Sequence, residues 1–186
     1  MKVINYNQET IIASLSRGEV IYMLTDTIPG LVARAEDENA VARIFELKQR
    51  SPKAQLPTLI SSFEHIDALG AKPHSKSVYK KHWPGPNTLV HEATDTTPGH
   101  IERGNGEFGI RWPDSSWLQE LISIVGPLSA TSANPQGKPS SLELAQSIAY
   151  FGDSVDLYVD HPPLAQDTPS SVLLIDYDTG EIQKLR

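Results

Sequence analysis

Apolar runs of strand length alternate with amphipathic stretches of helical period along nearly the whole chain, and few architectures accept that alternation. The strand-like runs are Glu19–Leu24, Leu31–Ala35, Thr58–Ser61, Asn87–Ala93, Phe108–Trp112 and Asp156–Asp160, with one more leading out of Pro127. Helical spacing covers Asn7–Ser16, Asp37–Leu47, Ser75–His82, a segment capped by Asp114 that carries Leu118, Leu121, Ile122 and Val125, and Ser141–Tyr150. Ser61 with Glu64, and Ser140 with Glu143, have the spacing of capping boxes. Ser171–Asp176 and Glu181–Leu185 read as a hairpin turning at Asp178-Thr179-Gly180, and the first two runs also pair through a short turn. Helical crossovers and hairpins in one chain predict an α/β fold of the three-layer α+β kind: a twisted mixed sheet flanked by helices. No repeat or linker interrupts it, so residues 1–186 read as a single domain. Thr94–Gly106 is polar and unpatterned and reads as a mobile loop.

Composition closes several routes. With no cysteine there is no disulfide framework and no thiolate chemistry. No apolar run approaches the ~18 residues of a membrane span, so no membrane role and a cytoplasmic location are expected. The net charge of −7 opposes a generally basic nucleic-acid binder, yet Arg43–His82 holds eight Lys/Arg against three acids. A basic segment on an acidic chain points to a local site for an anion, or to solvated helix faces.

The densest chemical signal is Pro127 through Ser141, where a short apolar run enters a loop of hydroxyls, an amide, a glycine and a lysine. Small side chains before a helix start suit an anion, phosphate above all, although turns and caps alone would use the same residues. Lys48 and Arg50 end the second helix, where they would offset its macrodipole. Leaving the helix at Ser51-Pro52, the pair can instead converge on one polyphosphate, an Arg fork beside a Lys point charge. Thr25-Asp26-Thr27 at a strand end either hydrogen-bonds a small polar substrate or starts a turn. An inward Arg111 would need an anionic partner, and a substrate carboxylate would serve. Gly104-Asn105-Gly106-Glu107-Phe108-Gly109 matches a dinucleotide pattern by letter, but a strand follows where a helix should open. The six histidines lack metal-ligand spacing and read as surface or loop residues, with no metal site.

In order and spacing, Leu24-Thr25-Asp26-Thr27, Glu46–Arg50, Trp83–Leu89, Gly109–Asp114, Pro127–Ser140 and Thr168-Pro169-Ser170-Ser171 resemble the YrdC/TsaC threonylcarbamoyl-AMP synthases in their single-domain bacterial form. The resemblance implies a YrdC-like fold with a concave basic cavity. It implies that L-threonine, bicarbonate and ATP give threonylcarbamoyl-adenylate and pyrophosphate, with Mg²⁺ carried on the phosphates. Partner proteins would then pass the group to an adenosine of tRNA. Carried over residue by residue, Lys48, Arg50, Ser132, Asn134 and Ser140 fall at ATP, and Thr25, Arg111 and Ser170 at threonine. Lys48 and Arg50 would stabilise charge, and no residue would act as nucleophile. The chain departs from the pattern at Pro29, where an aromatic is usual, and at Ser51, which separates Arg50 from Pro52. A second reading is a non-catalytic YrdC-type RNA-binding protein of tRNA or rRNA maturation, with a weak tRNA or double-stranded RNA contact through Arg43–His82.

Overall fold

The computed structural model describes residues 2–51, 54, 56–102, 104–162 and 168–186. Ten strands, β1 (Val3–Ile4), β2 (Ile21–Met23), β3 (Gly30–Arg34), β4 (Thr58–Leu59), β5 (Asn87–Glu92), β6 (Glu107–Arg111), β7 (Leu128–Ser132), β8 (Leu157–Val159), β9 (Ser171–Ile175) and β10 (Ile182–Lys184), form one sheet. Their spatial order is β1-β8-β2-β3-β7-β4-β6-β5-β9-β10. Pairing is mixed, as the sequence leads one to expect: β8 lies parallel to β1 and β2, β4 to β6 and β5 to β9, while the other neighbours are antiparallel. The helices are α1 (Gln8–Ser16), α2 (Glu38–Lys48), α3 (Glu64–Ala68), α4 (Lys76–His82), α5 (Gly99–Glu102), α6 (Ser116–Val125) and α7 (Leu144–Phe151).

Period-2 alternation along the strands assigns each face of the sheet. In β2 and β3, Ile21, Met23 and Val32 pack with Ile11 and Leu15 of α1 and Leu118, Leu121 and Ile122 of α6. The alternate residues Tyr22, Leu31 and Ala33 pack with Val41, Ile44 and Phe45 of α2 and Phe151 at the end of α7. This half has three layers. In the other half, Leu89, Phe108, Ile110 and Leu173 bury against Ile66, Tyr79 and Ile101 of α3, α4 and α5. Their alternates Thr88, Val90, Gly109, Arg111 and Val172 face a cavity instead. There the sheet is covered by helices on one side, and the bare concave side is the floor of the site.

Local signals explain most element ends. Asn7 and Asp37 cap α1 and α2, accepting from the N–H groups of Thr10 and Ala40 at 2.8 and 3.0 Å. Other caps differ from expectation. Helix α6 is entered at Ser115 rather than Asp114, with no side-chain cap. Helix α3 is entered at Phe63, so Ser61 and Glu64 make no box; the Ser61 N–H donates to His65 Nδ1. Ser140 and Glu143 make none either, because α7 begins at Leu144 and Glu143 is itself the N-cap. The helix end after the Ser-rich loop therefore carries a carboxylate and offers no preferred seat for an anion.

Thr94–Gly106 is not a bare loop. It contains α5, seats Ile101 in the core, and ties back through the Thr94 and Thr97 hydroxyls, which donate to Gly70 O at 2.8 and 2.6 Å. Gly70 has φ +67°, and a Cβ there would lie 2.6 Å from the Thr97 backbone nitrogen. Among the described residues no helix is long and apolar enough to cross a membrane.

Candidate active site

The bare sheet face and three flanking loops enclose a cavity of about 560 Å³. All eight residues carried over from the resemblance line it: Lys48, Arg50, Ser132, Asn134 and Ser140, with Thr25, Arg111 and Ser170. So does Arg186, which the sequence did not single out. Among the described residues no Asp, Glu, His or Cys side chain lines it.

Arg111 stands on β6 with its guanidinium only 5% exposed. Its Nη1 donates to Thr27 Oγ1 at 2.9 Å, and its Nη2 lies 3.0 Å from Asp26 Oδ1. The anionic partner expected from a substrate is thus supplied first by the chain itself. Burial pushes the Asp26 carboxyl up despite the pull of Arg111, and burial also draws Arg111 down. Each charge persists because the other is present. Among the described residues Arg111 Nε is buried and has no hydrogen-bond partner. A carboxylate entering the cavity would share the Arg111 guanidinium with Asp26. Of its two alternatives Thr25 takes the turn: its Oγ1 donates to Ile28 O at 2.8 Å and accepts from Thr27 N–H at 3.2 Å, and the residue also lines the cavity.

Ser170 shares a hydroxyl contact with Thr88 at 3.1 Å, while Arg186 Nη2 donates to Ser170 O at 3.0 Å. Arg186 arrives because the Val172 N–H donates to its carbonyl and the Leu185 N–H to Val172 O, extending the hairpin past β10. Only that antiparallel register would have identified it, since nothing around Arg186 in sequence marks a site.

Lys48 and Arg50 do not leave α2 as an extended pair. Lys48 is the last helical residue, and Gln49 follows in the left-handed region at φ 50°. The Gln49 N–H donates to Glu46 O and the Arg50 N–H to Phe45 O, a Schellman closure with glutamine where glycine is usual. This turn sends Lys48 inward, 4% exposed, and aims Arg50 at the cavity rim. Burial, with Arg50 adding to it, pulls the Lys48 ammonium down to about 8. Arg50 is drawn down by burial and then by Arg186. On the facing loop, Ser132 Oγ donates to Asn134 Oδ1 at 2.6 Å, and Asn134 Nδ2 donates to Lys138 O at 2.6 Å.

The remaining members of the basic segment disperse. Arg43 pairs with Asp156, Lys72 pairs with Glu92, and Lys76, Lys80 and Lys81 stand exposed on α4. Lys53 lies outside the described residues, as does part of the Ser51–Gln55 segment. Two histidines correct the surface reading: His74 and His91 are buried in the core, where His91 Nε2 meets the Tyr79 hydroxyl at 3.1 Å. Among the described residues no group of three or more His, Asp or Glu is placed to hold a metal ion. The cavity's hydroxyls and carbonyls provide no anionic ligand to Mg²⁺, so the ion would have to be held by a nucleotide's own phosphates.

Comparison with known proteins places these features in context. Residues 13–186 match the profile of the Sua5/YciO/YrdC family, described as "Telomere recombination". The threonylcarbamoyl-AMP synthase of Pyrococcus abyssi is 34% identical over 149 residues, covering 78% of this chain and 44% of the relative. That of Pseudomonas fluorescens is 30% identical over 167 residues, covering 89% of each. The crystal structure of P. abyssi Sua5 complexed with L-threonine superposes with a TM-score of 0.85 at 28% identity, over 100% of this chain and 56% of that one. The chain therefore spans about half the length of the Pyrococcus relative.

Proposed function

The chain belongs to the Sua5/YciO/YrdC family, and on that premise we propose that it is a threonylcarbamoyl-AMP synthase acting in the cytoplasm. L-threonine, bicarbonate and ATP would give threonylcarbamoyl-adenylate, pyrophosphate and water. The observation that carries the reading is the convergence of Lys48, Arg50, Arg111 and Arg186 on a cavity lined, among the described residues, by no Asp or Glu. Such a cavity demands anionic ligands at more than one point.

The two ends of the cavity differ in chemistry. Arg50 and the Ser132–Ser140 loop suit the triphosphate, and Arg111 with Thr25 and Ser170 suits an amino acid held by its carboxylate. The threonine nitrogen bonds to the carbon of bicarbonate, and its proton leaves with hydroxide as water. A carbamate oxygen then bonds to the α-phosphorus, the bond to the β-phosphate oxygen breaks, and pyrophosphate departs. No protein nucleophile is needed. The chain contributes orientation and charge stabilisation: Arg50 would meet the departing pyrophosphate, and Lys48 would add its charge from behind the Ser132–Ser140 loop. Mg²⁺ would neutralise phosphate charge and would enter on the nucleotide. Transfer to tRNA would require partner proteins, and the exposed lysines of α4 are the surface offered to RNA.

Pyrophosphate release tests the proposal. Release should require threonine and bicarbonate together, and omission of either should reduce it to background. Release indifferent to both would contradict it.

A further inference from the structure

The Lys48 ammonium has three N–H groups, and the loop opposite supplies three oxygens to meet them. Nζ lies 2.5 Å from Ser132 O, 2.7 Å from Asn134 O and 3.2 Å from Asn134 Oδ1. The backbone of the same residue engages the loop once more, because the Gln136 N–H donates to Lys48 O at 2.8 Å. Inside the loop the polar groups close on one another: Ser132 Oγ donates to Asn134 Oδ1, and Asn134 Nδ2 to Pro135 O and Lys138 O. The wall that would face the nucleotide is therefore built around one buried ammonium.

We propose that Lys48 is a positioning residue that assembles the Ser132–Ser140 wall before the nucleotide arrives. Asn134 acts with it, as the side chain that turns Lys48's three donors into a fixed loop shape. This role deepens the ATP-site reading and rests on it only for the identity of the ligand that meets the wall. A neutral amine cannot replace the ammonium, since it has two donors and would turn a lone pair toward the third oxygen. The charged group acting on Nζ is Arg50 on its own segment; Lys138 on the loop is exposed, Asp26 is engaged by Arg111, and among the described residues no carboxylate side chain lines the cavity. Burial, and then Arg50, draw the titration of Lys48 down, and the three oxygens act against them by favouring the ammonium.

Hydrogen exchange in substrate-free protein tests the proposal apart from any activity. In Lys48→Met, which keeps the apolar stem, peptides covering 132–141 should exchange at least about tenfold faster, with the sheet peptides unchanged. The dissociation constants of ATP and AMP should rise by the same factor, because a misshapen wall serves both. If Lys48→Met does not fold, the wild-type protein decides: after correction for chemical exchange, loop protection should fall between pH 7 and pH 9. Loop protection equal to wild type in the variant, or pH-independent in the native chain, overturns the proposal. A loss confined to ATP with AMP unaffected also overturns it, leaving Lys48 a phosphate ligand alone. Absence of threonine-dependent pyrophosphate release in the native protein, with the loop loosened as expected in Lys48→Met, would instead tell against the catalytic reading.

Discussion

Arg50 and Arg111 illustrate how neighbouring guanidiniums in one cavity divide their work. Arg50 is a half-buried residue of the cavity lining, whereas Arg111 is buried and fixed by Asp26 and Thr27. Arg50→Ala should raise the KM for ATP tenfold or more, since a charge-assisted contact contributes about 1.5–3 kcal/mol, and should leave the KM for threonine near its native value. Arg111→Lys should do the reverse, because a point charge cannot bind Asp26, Thr27 and a carboxylate in one plane. Steady-state kinetics with each substrate varied in turn would check both. His91 makes a separate prediction about stability. Burial first, and then His74, pulls its imidazole down to about 3, against a hydrogen bond with Leu89 O that favours the proton. The unfolded chain takes up that proton near pH 6.5, so the stability contributed by neutral His91 is full above that pH. It is lost as pH falls from about 6.5 toward 3, at up to about 1.4 kcal/mol per pH unit. Urea unfolding at pH 7, 5 and 4 should show a shallower decline in His91→Gln than in the native protein.

At the scale of elements, the connection of α3 to the α5 segment depends on Gly70. Its left-handed φ alone would cost an L-residue roughly 1–2 kcal/mol, and the Cβ would also meet the Thr97 backbone. Gly70→Ala should lower the melting temperature by several degrees, read by calorimetry or circular dichroism. Helix α4 bears on the RNA partner. Its Lys76, Lys80 and Lys81 are exposed, but Arg43, Lys48, Arg50 and Lys72 are committed elsewhere. Any tRNA binding through α4 should therefore be weak. Its log-log salt slope should fall by about 2–3 when the three lysines are neutralised, which filter binding at several salt concentrations would measure.

Over the whole molecule, the mixed sheet was legible because strand and helix periodicities alternate without ambiguity, and the starts of α1 and α2 were legible to within a residue, at Asn7 and Asp37. Strand β1 was not, since two residues carry no period and Val3–Ile4 is held only by its parallel neighbour β8. Failed capping boxes at Ser61 and Ser140 have one cause: hydroxyl and carboxylate at the right spacing also suit loops that tertiary packing shapes otherwise. Within the site, motif residues could be named in sequence, but Arg186 depended on hairpin register and the Asp26–Arg111 pair on contact between β6 and a turn far away in the chain. Lys48 was legible as a cation and illegible as the centre of a loop, because its three acceptors lie more than eighty residues downstream. The central claim is that one cavity joins threonine, a one-carbon unit and AMP. Mass spectrometry of a reaction with ¹³C-bicarbonate, L-threonine and ATP tests it most directly. The account predicts a threonylcarbamoyl-adenylate carrying a single ¹³C and formed in step with pyrophosphate; pyrophosphate without labelled adduct would contradict it.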